Sequence, residues 1–284
     1  MNTIKNTPKS NDSCCVVSCD RPLDSDYWDA QYKAKTTGWD LGQVSPPIKE
    51  YVDTLENKNT SILIPGCGNT YEAEYLLQAG FTNITVIDIA PTLVQELKQK
   101  FENNSNIKII QGDFFEHQGT YDLILEQTFF CALTPTMRQK YVWKMHQLLS
   151  ENGIIAGLLF NRTFEVSPPF GGSKEEYELL FKNAFYFLKM DVALNSIAPR
   201  ANSELFIEFK KNNQIKVNLY EFNGITCSGC LNTVTTLFMA LNGVENVSMS
   251  TNFAEVLIVS KNEIPVSQLQ AIVSYDEKYS ILKI

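Results

Sequence analysis

The chain has 284 residues, 44% of them hydrophobic, which is enough for one large domain and a smaller one with a real core. Its 24 basic against 32 acidic residues give a net charge of -8 without any Lys/Arg cluster, which excludes a nucleic-acid partner. No run of about twenty apolar residues occurs and the N-terminus lacks an apolar centre, so neither a membrane span nor a secretory leader is expected. Seven scattered cysteines, an odd number, point to reduced thiols in a cytoplasm rather than to a disulfide framework.

Residues 1–20 are rich in Asn, Ser, Lys and Thr and are expected to be a disordered polar tail. Cys14, Cys15 and Cys19 lie in it, either as idle thiols or as a scavenger of soft metals. Next, Trp28 and Tyr32 stand one helical turn apart and so share a face, and Trp39 follows a Thr-Thr-Gly break. Pro46 and Pro47 open another helix. These aromatics either pack against one another or offer their faces to a sulfonium cation and exclude water.

Ile62–Pro65 reads as a short buried strand that breaks at Gly66-Cys67-Gly68, and from Tyr71 the apolar spacing becomes helical. Strand, glycine turn and helix is how α/β folds present backbone N–H groups to a nucleotide-like ligand. Ile84–Ile89 supplies the next strand, with Asp88 placed to accept hydrogen bonds from ribose hydroxyls. A dinucleotide fingerprint wants a third glycine where this chain has Tyr71. Two further acids end later strands, Asp113 and Glu126. Acids after successive strands suit S-adenosylmethionine, with a dinucleotide as the alternative.

A helix is expected over Thr136–Leu149, stopped by Glu151–Gly153, and then a buried strand over Ile154–Phe160. Arg162–Ser173 is a Pro/Gly-rich loop suited to a substrate-side rim. Glu175–Lys189 reads as helical and Met190–Lys211 as a strand pair, with Arg200 in its loop as a solvated arginine. Cys131 is read as a small buried hydrophobe. His117 and His146 are read as surface or helix residues without a catalytic role. Methyl transfer from a sulfonium is an in-line displacement on an activated carbon, which needs alignment and desolvation more than a base.

The ordered string Trp28, Tyr32, Trp39-Asp40, Gly42, Pro46, Pro65–Gly68, Val86–Ile89, Gly112–Phe115, Thr128–Leu133, Met137-Arg138 and Pro168–Phe170 resembles the thiopurine S-methyltransferase family, on the side of its thiol and halide methyltransferases. The resemblance covers about Asp26 to Lys211. It implies a Rossmann-like class I methyltransferase sheet with helices on both faces, S-adenosylmethionine as donor, and a small soft nucleophile as acceptor. By position it implies that Trp28, Tyr32 and Trp39 line a lid over the cofactor and that Gly66 is the turn glycine. Asp88 would be the ribose acid, Asp113 and Phe114 the adenine contacts, Glu126 would face the methionine end, and the loop of Arg200 would approach the substrate, where that arginine would attract an anion.

Asn212-Asn213 fits a linker, after which the pattern restarts. Lys216–Phe222 alternates as a strand, Leu231–Leu241 is an amphipathic helix, Val244–Ser250 and Ala254–Ser260 are strands, Val266–Val273 is a helix and Tyr279–Ile284 a last strand. This is βαββαβ, the ferredoxin-like plan. Cys227 and Cys230 sit at its first loop-to-helix junction, where both sulfurs can face one ion and the helix N-terminus favours thiolates. Soft thiolates suit Cu(I) or a similar cation, while a redox pair or idle thiols are the alternatives. The segment resembles a heavy-metal-associated domain, with Ile225 where that family's signature has methionine. The expected organisation is therefore a tail at 1–20, a methyltransferase domain at 21–211 and a heavy-metal-associated domain at 212–284. The expected function is methyl transfer to a thiol, thiopurine, halide or metalloid, with a heavy-metal ion as second partner and detoxification as the setting. The rival is a metal chaperone whose methyltransferase domain is regulatory or inactive.

Overall fold

The computed structural model describes residues 22–284, so the cysteines of the N-terminal tail lie outside the described residues. Two helices lead, α1 (Ser25–Ala34) and α2 (Pro46–Asp53). Alternation then sets in: β1 (Ile62–Pro65), α3 (Tyr71–Gln78), β2 (Ile84–Asp88), α4 (Pro91–Lys100), β3 (Ile107–Gln111), β4 (Tyr121–Gln127), α5 (Arg138–Leu148) and β5 (Leu149–Phe160). α6 (Lys174–Phe181), β6 (Phe185–Val192) and β7 (Glu204–Lys211) follow.

The seven strands form one mixed sheet in the order β3-β2-β1-β4-β5-β7-β6. β1 to β5 are parallel, while β7 runs antiparallel to β5 and β6 antiparallel to β7. Every residue of β1 and β2 is buried, as expected of parallel strands covered on both faces. Ile62 and Ile64 join Ile48, Val52, Leu76 and Leu93 on one face, and Leu63 turns to Tyr141, Met145 and Phe181 on the other. The strand order reverses between β1 and β4, and the crevice beyond their carboxyl ends is where such sheets hold ligands.

Two expected elements end elsewhere. The Glu175–Lys189 helix stops at Phe181, because Asn183 takes a left-handed φ of 64° and the aromatic run from Phe185 pairs with β7 instead. The Glu151–Gly153 stop lies inside β5, which begins at Leu149 opposite Tyr121 and bulges before Ile154 rejoins Leu123. Gly153 is required there, since a Cβ would come within 2.9 Å of the Tyr121 carbonyl oxygen.

The remaining chain is β8 (Lys216–Asn223), α7 (Ser228–Met239), β9 (Val244–Met249), β10 (Glu255–Ser260), α8 (Val266–Val273) and β11 (Ser280–Lys283). Its four strands make a separate antiparallel sheet in the order β11-β8-β10-β9. Tyr220, Phe222, Val256 and Ile258 face Val234, Phe238 and Leu269 of its own helices. Val217, Leu219, Leu257 and Val259 face the other way and join the core of the larger sheet, where β8 and β10 pack on α5. Gln139 of α5 donates from Nε2 to Ser248 Oγ and Met249 O, both at 3.0 Å, and Asn183 Nδ2 donates to Glu245 O at 2.8 Å. Asn212 is held rather than free: its N–H donates to Ala184 O at 3.2 Å and its Nδ2 to Asn183 O at 2.9 Å. Its own carbonyl meets His146 Nε2 at 3.2 Å. His146 is therefore buried on α5, not at the surface, and burial pushes its ring down to about 4.

Candidate active site

A cleft of about 840 Å³ opens at the β1/β4 switch point. Its floor is the turn after β1. Gly66 and Gly68 have φ of 53° and 52°, the left-handed region open to glycine, and a Cβ on Gly66 would overlap the Phe129 ring. The Cys67 amide donates to Ile87 O at 3.2 Å and the Gly68 amide to Asp88 Oδ2 at 3.1 Å, so the turn is tied to the end of β2. Asp88 Oδ1 accepts from the Ala90 amide at 3.0 Å. Asp88 is 7% exposed and burial raises its carboxyl above the ordinary range, yet each oxygen keeps lone-pair capacity toward the cleft it lines.

Aromatics form one wall. Trp28 and Tyr32 of α1 meet Trp39 edge to face, with centroids 5.5 Å and 6.0 Å apart. Asp40 anchors the Trp39 segment by accepting from the Gly42 amide at 2.7 Å and from Asn69 Nδ2 beside the glycine turn. Asp113 caps the turn after β3, its Oδ1 accepting from the Phe115 amide at 2.8 Å, and Phe114 stacks edge to face on Phe129 at 5.0 Å. The structure thus brings Trp28, Tyr32, Trp39, Gly66, Asp88, Asp113 and Phe114 to one cleft.

Glu126 is not among its lining residues. It is fully buried; Oε1 accepts from the amides of Phe129 at 2.8 Å and Phe130 at 2.9 Å, and Oε2 from Tyr141 Oη at 2.6 Å. Burial pushes its carboxyl up to about 7 against these hydrogen bonds. Successive strand side chains point to opposite faces, so Glu126 shapes the loop from beneath while Gln127 takes the cleft side. Gln127 Oε1 and Thr70 Oγ1 are buried, line the cleft and have no partner on the protein. Neither an amide nor a hydroxyl stands out in a sequence, and only their orphaned burial marks them.

Arg200 is not a solvated loop residue. It is buried, pairs with Glu204 at 3.3 Å, donates from Nη2 to Trp39 O at 2.8 Å and lies 5.4 Å from the Phe160 ring centroid. It lines the cleft with its charge compensated. Cys131 lines it too, as a buried thiol donating to Thr128 O at 3.2 Å, and burial pushes its pKa well up.

Cys227 and Cys230 lie elsewhere, at the start of α7. Cys227 is the N-cap, its sulfur accepting from the Cys230 amide at 3.4 Å, and the two sulfurs are 3.1 Å apart. Both are free thiols. Hydrogen bonding from the Tyr279 hydroxyl, then from Cys227, pulls Cys230 down to about 6, and Lys278 Nζ stands 3.9 Å from its sulfur. Ile225 packs against the core of the smaller sheet. Among the described residues no group of three or more His, Cys, Asp or Glu side chains is placed to hold a metal ion.

Comparison with known proteins agrees with the larger sheet. The thiopurine S-methyltransferase family matches residues 23–212. A probable thiol methyltransferase 2 of Arabidopsis thaliana is 31% identical over 191 residues, covering 65% of this chain and 84% of that protein. Thiocyanate methyltransferase 1 of the same plant is 25% identical over 193 residues, covering 66% and 85%. The crystal structure of the Burkholderia thailandensis 1,6-didemethyltoxoflavin-N1-methyltransferase superposes with a TM-score of 0.56 at 15% identity, over 66% of this chain and 87% of that one, and supports the fold alone. The architecture is that of a class I, Rossmann-like methyltransferase, an S-adenosylmethionine-dependent enzyme. Within that class the chain belongs to the thiopurine S-methyltransferase family.

Proposed function

We propose that the cleft binds S-adenosylmethionine and that the enzyme methylates a soft nucleophile, a thiol, thiopurine, halide or metalloid. The observation that carries the reading is the convergence of Asp88, the Gly66–Gly68 turn, Asp113-Phe114 and the Trp28/Tyr32/Trp39 wall on one switch-point cleft. When bound, the cofactor supplies an electrophilic methyl carbon on a sulfonium. The donor set fits it. Asp88 accepts from ribose hydroxyls, Asp113 from the adenine amine, and Phe114 offers an apolar surface to the ring. The orphaned Gln127 Oε1 is an acceptor suited to an ammonium, and the Thr70 hydroxyl a donor suited to a carboxylate. Trp28, Tyr32 and Trp39 give the sulfonium aromatic faces and keep water out. Trp39 is held in place by Arg200 through its carbonyl.

The test is calorimetry of the full chain with S-adenosylmethionine. Asp88→Asn, whose amide nitrogen can accept neither from ribose nor from the Gly68 or Ala90 amide it would face, is expected to raise Kd by roughly tenfold to a hundredfold, the loss of one or two hydrogen bonds to a charged group. Absence of any heat with the wild-type chain would overturn the reading.

We further propose that residues 212–284 form a ferredoxin-like, heavy-metal-associated domain that holds a soft cation such as Cu(I) between Cys227 and Cys230, in the setting of metal or metalloid detoxification. Support comes from the two sulfurs 3.1 Å apart at a helix N-terminus and from the depressed Cys230 thiol. Cys227→Ser with Cys230→Ser is expected to abolish stoichiometric Cu(I) binding measured by competition with a chromogenic chelator. Protons compete with the cation for the thiolates, so affinity is expected to fall as pH is lowered through the Cys230 value of about 6. Unchanged metal retention by the double variant would show that the pair is not the site.

A further inference from the structure

Part of the cleft carries a cation that no acid among the described residues answers. Apolar side chains dominate there, among them Leu133, Met137, Phe160, Phe164 and Pro168. Two guanidinium groups reach this region, and they differ. Arg200 is compensated by Glu204 and lies over Phe160. Arg162 lies 4.7 Å from the Phe164 ring centroid and donates from Nε to Thr163 O at 3.3 Å. Among the described residues no carboxylate lies within ion-pair distance of it. Phe160 and Phe164 meet edge to face with centroids 4.9 Å apart, so Arg200, Phe160, Phe164 and Arg162 form one row along the cleft.

The outer end of that row is positioned by its backbone. Gly172 donates from its amide to Arg162 O at 3.1 Å within an antiparallel bridge, and a Cβ on Gly171 would overlap the same carbonyl. Asn161 Oδ1 accepts from the Lys174 amide at 3.1 Å and closes the base of the loop onto α6. The side chain is exposed, but its attachment point is fixed.

We infer that Arg162 sets the charge preference of the acceptor site: it draws soft anions, thiolate, thiocyanate or halide, in preference to neutral nucleophiles. This rests on the methyltransferase reading above. A guanidinium is permanently charged and weakly hydrated, and beside apolar walls it pairs best with a large, weakly hydrated anion. The whole protein, at -8, repels anions at long range, so a local unanswered cation is what admits them. An anionic acceptor forms its bond to the methyl carbon as the carbon–sulfonium bond breaks. Anion and cation become two neutral products, and no proton has to move.

The experiment compares the full wild-type chain with Arg162→Gln and Arg162→Lys, using thiocyanate and iodide as anions and a neutral thioether as control. Arg162→Gln is expected to raise KM for the anions by roughly fivefold, the order of one partly solvated ion pair, with kcat and the thioether KM unchanged. Arg162→Lys is expected to recover most of the loss, and the rise of anion KM with added salt is expected to flatten in the Gln variant. Calorimetry with S-adenosylmethionine runs in parallel: no binding by the wild type would sink the methyltransferase reading itself. Intact cofactor binding with an anion KM unmoved by Arg162→Gln, or moved equally for the thioether, would overturn the role of Arg162. If turnover of these acceptors is too slow to follow, iodide affinity is read from quenching of tryptophan fluorescence in the S-adenosylhomocysteine complex, where equal wild-type and variant affinities overturn it as well.

Discussion

Ending the chain at Asn212 is expected to abolish a stably folded methyltransferase rather than to release it intact. The second sheet does not hang from a tether. Ile215, Val217, Leu219, Leu257 and Val259 are buried in the same core as Tyr141, Met145 and Phe209, and Gln139 of α5 is bonded to β9. Each fully buried aliphatic side chain is worth about 1.5–3 kcal/mol, so uncovering this face removes an amount comparable with the ~5–15 kcal/mol of a whole domain. The truncated chain is expected to aggregate, or to melt at least ~10 °C lower, since about 1 kcal/mol moves Tm by some 2–4 °C at this size. Leu257→Asp in the full chain is the milder version, placing an unpaired charge against α5, and is expected to lower Tm without touching the cleft. Thermal unfolding followed by circular dichroism checks both. A truncated chain that melts at the wild-type temperature would show that the two sheets are independent.

The second large effect is expected at Glu126. This carboxylate holds the Phe129 and Phe130 amides and the Tyr141 hydroxyl, and Phe129 packs against Gly66 and Phe114 in the cleft. Glu126→Ala leaves three buried donors without an acceptor, at about 1–3 kcal/mol each, so a loss of at least ~3 kcal/mol is expected. Tyr141→Phe removes one donor and is expected to lose about 1–2 kcal/mol. Both should weaken S-adenosylmethionine binding, because the loop they release lines its site, although neither residue touches the cleft. The pH dependence has a definite sign. The Glu126 pKa is raised from 4.5 to about 7 in the folded protein, so the folded state binds the extra proton between these values. Its contribution to stability is therefore fully present below about 4.5 and is lost as pH rises to about 7. Glu126→Gln is expected to flatten that part of the stability profile, measured by denaturant titration across the window. A profile of unchanged slope would show that Glu126 is not the group responsible.

The frame of the site was legible because parallel strands announce themselves. Ile62–Pro65 is an uninterrupted apolar run and Ile84–Asp88 is a buried one broken only by Thr85 before its closing acid, and each hands a glycine turn or an acid to the carboxyl end of the sheet. Side-chain direction was harder to read. Glu126 and Gln127 differ by one position, and with a period of two that decides which of them enters the cleft. Arg200 could be read as solvated because its buried setting comes from a distant part of the chain, the Trp39 carbonyl that its Nη2 meets, as well as from Glu204 four positions on. The break at Asn183 needed a left-handed backbone that no apolar periodicity records. The second sheet did carry a signal of its buried outer face. Val256–Val259 is apolar at every position, which an antiparallel strand with one wet face would not be.

The most direct test of the central claim is incubation of the purified full chain with methyl-labelled S-adenosylmethionine and a panel of thiols, thiopurines, thiocyanate, halides and metalloid anions, with headspace collected for volatile products. The expected result is label in a methylated acceptor, lost on Asp88→Asn at sub-saturating cofactor. Label that stays on the cofactor across the whole panel, despite measurable cofactor binding, would contradict the enzyme as described and shift the chain's role toward metal handling.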